Sequence, residues 1–277
     1  MASAAVPSSY PRSYFYFDAC SQALTAQFTL PVDHHIDAQA SSSLCSTGGH
    51  SKAHVEKFDD GKFISFALGD TEISAGYEDD EGSNDTEASA TVQGLNILDV
   101  VEADLVVAKT YSEHPTKALE GSVSMKGCNL GNLRIHSYPV KMELNCDFFE
   151  GIQTFKQAQE AYLQKGDFWQ IAKDPFQTGQ DLEPQGDTGA FLCSLIKGKI
   201  QVSAPGVQTV GHAIIIPNFG TIYLAEMMIS HAQRTFSMIR FNLDATVKVR
   251  GSDDVVPVKA TGSVACGTTN GKQYPPR

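Results

Sequence analysis

A chain of 277 residues with 21 basic and 32 acidic side chains carries a net charge of −11. That balance excludes the basic footprint of a nucleic-acid or anionic-lipid binder, and no apolar run reaches the ~18 residues of a membrane-spanning helix. Its six cysteines, Cys20, Cys45, Cys128, Cys146, Cys193 and Cys266, are scattered without a C-x-x-C pair, which excludes zinc ribbons and redox dithiol motifs and implies reduced thiols in a cytoplasmic protein.

At the N-terminus, Pro7 and Pro11 break the segment where the apolar run of a secretory signal would stand. Residues 1–30 form an arm. Its aromatic run YFYF (14–17) is too apolar to stay in water, so it adds a strand to the body or to a partner. Residues 31–57, rich in His, Ser and Gly, are expected as loop with short extended pieces. FISFAL (63–68) and TEISAGY (71–77) predict two strands separated at Gly69-Asp70. The acidic stretch that follows predicts a solvated hairpin tip. It fails the calcium-loop template, because with Gly82 in the glycine position Tyr77 and Ala88 occupy ligand positions. The runs 88–98 and 100–111, rich in β-branched residues, predict further strands. Val140, Met142 and Leu144 alternate with Lys141, Glu143 and Asn145 as in a half-buried strand, with Pro139 marking an edge or a bulge.

The main helix is expected over 151–165, where Ile152, Phe155, Tyr162 and Leu163 share one stripe. Asn145 or Asp147 would cap its start and Gly166 its end. Residues 168–173 predict a further helical turn, stopped by Asp174-Pro175. Residues 174–189 predict a long polar loop, either a lid or a disordered connection. From 190 onward, apolar runs describe a meander that ends in a flexible polar tail, 266–277. The fold class is mainly β: a large twisted antiparallel sandwich or barrel with one main helix, in a single domain of residues 1–277.

Within GHAIIIPNFGTIYLAEM (211–227), the acid Glu226 interrupts an apolar strand. With Pro217–Gly220 and His231–Arg234 as hairpin loops, period two places Glu226 beside Ala213, Ile215, Ile222, Leu224, Met228, Ile239, Phe241 and Leu243. The same register puts His212, Tyr223 and Arg240 on the opposite face. A carboxyl group stranded among apolar side chains titrates high and serves as a general acid. The structural alternative is a rim charge neutralised by Arg134, Lys141 or a backbone donor, and a one-residue slip would move Glu226 to the polar face. The candidate catalytic residues are Glu226, His212, Arg240, Asp104 and His136, with Glu226 as acid/base and Arg240 as anion stabiliser.

His34 and His35, between Asp33 and Asp37, and then His50 and His54 hold the donor types of a zinc, iron or manganese site, without a recognised spacing. Solvated loop histidines are the alternative. Cys193 reads as a small core residue. No G-x-S-x-G, P-loop or dinucleotide fingerprint is present, so no cofactor is implied.

Five segments, QASSSLCSTGGH (39–50), GLNILDVVEADLVVAK (94–109), NLRIHSYPVKMEL (132–144), GHAIIIPNFGTIYLAEM (211–227) and FSMIRFNL (236–243), together resemble a family of uncharacterised soluble microbial proteins. The resemblance spans most of the chain and implies one contiguous β-rich unit. It brings no activity, cofactor or catalytic residue. The expected function is binding of a small apolar ligand or a protein partner, or self-assembly into a homo-oligomer through an exchanged aromatic arm. The alternative is an enzyme of cyclase, isomerase or hydrolase type, with an acid–base pocket around Glu226 and Arg240.

Overall fold

The computed structural model describes residues 14–61, 63–78, 82–116, 120–172, 189–230, 233–248 and 255–274. The chain begins with β1 (Tyr14–Phe17), β2 (Cys20–Leu30), β3 (His34–Gln39), β4 (Ser42–Ser43), β5 (Gly49–Asp59), β6 (Ile64–Glu78), β7 (Ser83–Ile97) and β8 (Val101–Pro115). It continues with β9 (Ser122–Ser124), β10 (Asn129–Gly131), β11 (Arg134–Ile135), β12 (Tyr138–Leu144), α1 (Phe155–Leu163) and α2 (Asp167–Ala172). It ends with β13 (Ala190–Ser194), β14 (Ile196–Val202), β15 (Gln208–Val210), β16 (Ala213–Ile216), β17 (Gly220–Ser230), β18 (Gln233–Lys248) and β19 (Val255–Tyr274).

These strands build two antiparallel sheets. The ten-stranded sheet runs β15-β16-β17-β18-β19-β2-β3, with β1 on β19, β13 on β17 and β4 on β2. The nine-stranded sheet runs β14-β12-β11-β8-β7-β6-β5, with β9 and β10 on β8. The sheets pack face to face, β2 and β19 against β6, β7 and β8, as a β-rich sandwich with little helix; no barrel closes among the described residues. No described helix is long and apolar enough to cross a membrane.

The aromatic arm is β1, paired with Gly271–Tyr274 of its own chain. That pairing and the β18 ladder make residues 266–274 strand, where the polar sequence predicts a flexible tail. Residues 31–57 are likewise strand-rich: β5 is an edge strand of the second sheet. An edge strand with a solvated face needs few apolar residues, so its composition reads as loop. Gly69-Asp70 lies inside β6 and makes no turn. A Cβ at Gly69 would sit 3.0 Å from both the Ala23 Cβ of the facing sheet and the Phe66 ring, so glycine here permits close sheet contact. Gly69→Val is expected to cost about 2 kcal/mol by overpacking, seen as a lower urea midpoint at constant m.

The helix begins at Phe155, later than expected, because Thr154 and Gln157 form a capping box. Asp147 instead precedes a short 3₁₀ turn at Phe148–Glu150. Lys165, with φ of 53°, takes the left-handed position expected of Gly166. Phe155, Ala158 and Tyr162 are buried, whereas Leu163 is 75% exposed. Phe155, Tyr162 and, from α2, Phe168 gather on Phe191 of β13 with ring centroids 5.2–5.5 Å apart. The sequence expectations for the acidic tip at 79–81 and for the loop at 174–188 fall outside the described residues.

The sandwich interior is apolar over most of its length and polar at one end. There Ser83, Thr86, Thr110, Ser112, Thr269 and Arg234 are buried between the sheets. The Ser112 and Thr269 hydroxyls hydrogen-bond across the interface, and Arg234 Nη2 donates to the Gly121 carbonyl at 2.9 Å.

One row of the first sheet breaks the alternation of faces. In β17, Ile222 and Leu224 point into the core; beyond Ala225 the inward residues are Met227 and Ile229. Ala225 has φ of 52°, and Ala265 in β19 has φ of 50°. The same inversion occurs at Met238-Ile239 in β18 and at Ala23-Leu24 in β2, where consecutive side chains are buried. Register is kept on both sides of the row, with Leu224 opposite Ile239 and Glu226 opposite Ser237. Each of the four strands therefore contributes one extra residue at the same level, a bulge extended across the sheet.

Candidate functional site

The edge of β17 is shared by two strands that meet at this row. Gly220–Tyr223 pair with β16, and Glu226–Ser230 pair with β13. Between them, Leu224 N donates to the His212 carbonyl at 3.1 Å and Leu195 N to the Ala225 carbonyl at 3.0 Å. The notch where β16 and β13 part holds Glu226, His212 and Ser194.

Two register differences bring these groups together. The first hairpin pairs Ile216 with Gly220, one residue off the expected register, so Ile214 and Ile216 stand on the face of Ile222, and Ala213 and Ile215 on the face of Tyr223. The inverted row then turns Glu226 to the face carrying Tyr223 and Arg240. The second hairpin pairs Ile229 with Arg234, two residues from expectation, which leaves the faces unchanged.

Glu226 is 4% exposed and accepts hydrogen bonds from His212 Nε2 at 2.9 Å and from Arg240 through Nε and Nη2, the latter at 2.9 Å. An ionised carboxylate only accepts, so the proton of His212 sits on Nε2. Arg240 spans the backbone left bare by the two inward-facing rows and stacks 3.7 Å above the Tyr223 ring centroid. Burial alone would raise the Glu226 carboxyl. The hydrogen bonds and charges of His212 and Arg240 outweigh it and hold Glu226 below the ordinary glutamate range. The arrangement is a closed, ionised cluster whose carboxylate is saturated with donors.

Asp104 and His136 lie on the second sheet and are not brought to this notch. Asp104 bonds Arg134 and Asn132, each at 2.8 Å, and Arg134 holds its carboxyl below the usual range. His136 occupies the β11–β12 turn with φ of 48°, its backbone N–H donating to Val100. The four candidate metal-binding histidines divide between the sheets. His34 and His35 are on β3, with His35 bonded to Gln27 at 3.0 Å. His50 and His54 are on β5, facing Glu72 at 3.6 Å and Asp70 at 2.5 Å respectively. Among the described residues, no three His, Cys, Asp or Glu side chains converge as a metal site. An open groove of about 320 Å³ runs over Lys52, His54, Asp70 and Glu72, whose charges pair with one another.

Behind Ser194, which stands opposite Glu226 in the ladder, lies a cleft of about 300 Å³. Phe148, Ile171, Leu195 and Ile196 supply its apolar walls; Asn145, Asp167, Gln170 and Lys197 stand among them. The Ser194 hydroxyl donates to the Leu224 carbonyl at 2.8 Å, and Lys197 pairs with Glu143 at 2.7 Å. Sequence patterns did not mark these residues as a site. They come from a turn, a short helix and a strand elbow that are distant in the chain, and no local motif connects them.

No curated protein matches the chain. The model of one family, described as "Domain of unknown function (DUF8256)", matches residues 15–230, from the arm strand to the last residue of β17. With most of its length so matched, the chain belongs to that family of β-rich proteins.

Proposed function

We propose that this protein binds a small ligand with an apolar body and an uncharged polar end, held in the cleft between α2 and the β13–β14 elbow. The observation that carries the reading is the lining itself. Apolar walls from Phe148, Ile171, Leu195 and Ile196, with a few polar groups such as the Asn145 amide, are the composition of a ligand site. Its volume of about 300 Å³ stands at the lower end of such sites, so the ligand is small.

The acid–base alternative asks Glu226 to exchange a proton with a substrate. Its carboxylate accepts three hydrogen bonds from two residues and is held ionised, which favours a role in fixing the notch beside the cleft. A reducing, cytoplasmic setting is part of the proposal and rests on six cysteines that stand as free thiols.

Titration with the uncharged probe N-phenylnaphthylamine tests the reading. Wild-type protein should enhance probe fluorescence saturably, and Ile171→Trp, which fills the cleft, should weaken binding by at least about tenfold, or 1.4 kcal/mol. Glu226→Gln should bind as wild type. Equal affinity in wild type and Ile171→Trp would remove the cleft as the site; loss of binding in Glu226→Gln alone would favour the acid–base alternative.

A further inference from the structure

Cys128 and Cys146 are far apart in sequence from the other cysteines and adjacent to one another in space. Cys128 precedes β10 in a turn, and its sulfur is clamped to β8 by Lys109, accepting from the backbone N at 3.3 Å and donating to the backbone O at 3.2 Å. Cys146 follows β12, and its thiol points to the Cys128 carbonyl at 3.6 Å. Both residues are half-buried.

We propose that Cys128 and Cys146 form a redox site, closed to a disulfide by exchange with a low-molecular-weight disulfide such as oxidised glutathione. The Cys146 sulfur already rests against the Cys128 backbone, which leaves the two side chains within one residue's reach of each other. The remaining four cysteines separate from this pair by position: Cys193 and Cys266 are buried, and Cys20 and Cys45 are exposed on the first-sheet side of the chain.

The reaction has two exchanges. The Cys146 thiolate attacks one sulfur of oxidised glutathione, forming a mixed disulfide and expelling one glutathione thiolate. Cys128 then gives up its proton to solvent and its sulfur attacks the Cys146 sulfur, expelling the second glutathione thiolate. Two protein thiols are oxidised and one glutathione disulfide is reduced to two thiols. The order follows from the environment. The neighbouring Cys128 thiol brings Cys146 down to about 7, whereas the proximity of Cys146 and burial push Cys128 up, its sulfur being held by the Lys109 backbone.

Cys146 lies between Asn145 and Phe148, which line the cleft, so the bond draws on the cleft wall. This coupling rests on the ligand reading above; the disulfide does not.

The test exposes the folded, reduced protein to oxidised glutathione, followed by alkylation and peptide mapping. The expected result is joint loss of alkylation at Cys128 and Cys146, a cross-linked peptide joining them, and recovery with dithiothreitol. Cys128→Ser should instead hold glutathione at Cys146. Continued alkylation of both thiols, or a cross-link from either to another cysteine, overturns the proposal; wild-type mapping suffices if the variant does not fold. On the same samples, N-phenylnaphthylamine affinity should fall on oxidation. An unchanged affinity overturns the coupling, and absent probe binding in the reduced protein is a failure of the ligand reading alone.

Discussion

Arg240→Ala is expected to lower the unfolding free energy by about 3 kcal/mol, the low end for removing one partner of a buried ion pair. The low end applies because the Arg240 side chain is 40% exposed, so water screens part of the interaction. Glu226, at 4% exposure, would keep only His212 as a donor. For a chain of this size such a loss lowers the melting midpoint by roughly 6–12 °C. Glu226→Gln/Arg240→Met should lie within about 1 kcal/mol of wild type, since an uncharged pair of similar shape removes the stranded charge with its partner. Thermal denaturation of the variants checks this, and an Arg240→Ala midpoint equal to wild type would reduce the cluster to a surface ion pair. The sign with pH is fixed by the depressed carboxyl: the contribution is complete above the unfolded value of 4.5 and fades as pH falls through the folded one.

A separate loss of stability is expected at higher pH, from His114. Burial, reinforced by the nearby Arg234 charge, lowers this histidine from 6.5 to about 4, against weaker opposing effects of the Asn84 backbone and Asp85. Its ring lies 5.0 Å from Phe15 of the arm strand, and its Nδ1 is buried without a hydrogen-bond partner. The folded state holds it neutral where the unfolded chain protonates it. The stability is therefore fully present above pH 6.5 and is lost as pH falls from there through about 4. The loss totals about 3 kcal/mol. Urea unfolding at a series of pH values should show this slope in wild type. His114→Phe should lose the slope between pH 6.5 and 4. An identical slope in the variant would assign the acid sensitivity elsewhere.

Much of the fold is legible in the sequence where one physical signal dominates. The alternation through Val140, Met142 and Leu144 appears in β12, and the aromatic run at 14–17 is a paired strand. A helix followed by a second helical turn stands where the stripe of apolar residues predicts it. Misreadings arise where one residue type serves two purposes. Gly69 looks like a turn because glycine marks turns, yet it is selected by contact with Ala23. The histidines of 31–57 look solvated because they are, exposed on the edge strands β3 and β5. Glu226, His212 and Arg240 could be named from their residue types, but not placed on one face. Their meeting depends on left-handed φ at Ala225 and Ala265, and alanine has no sequence signal for that conformation. The cleft was illegible for a different reason: its walls are assembled only by tertiary packing.

The inverted row also constrains how the chain can change length over evolutionary time. Ala23, Ala225, Met238 and Ala265 are neighbours across the sheet although they belong to strands far apart in the chain. Losing one of these residues restores simple alternation in its own strand and leaves its neighbour with an unmatched bulge. Relatives that lack the row must have shortened all four strands together, or carry ordinary bulges where the row is incomplete. One-residue gaps at these four places should therefore co-occur among relatives, as a mark of shared geometry with no trace of it in any single strand.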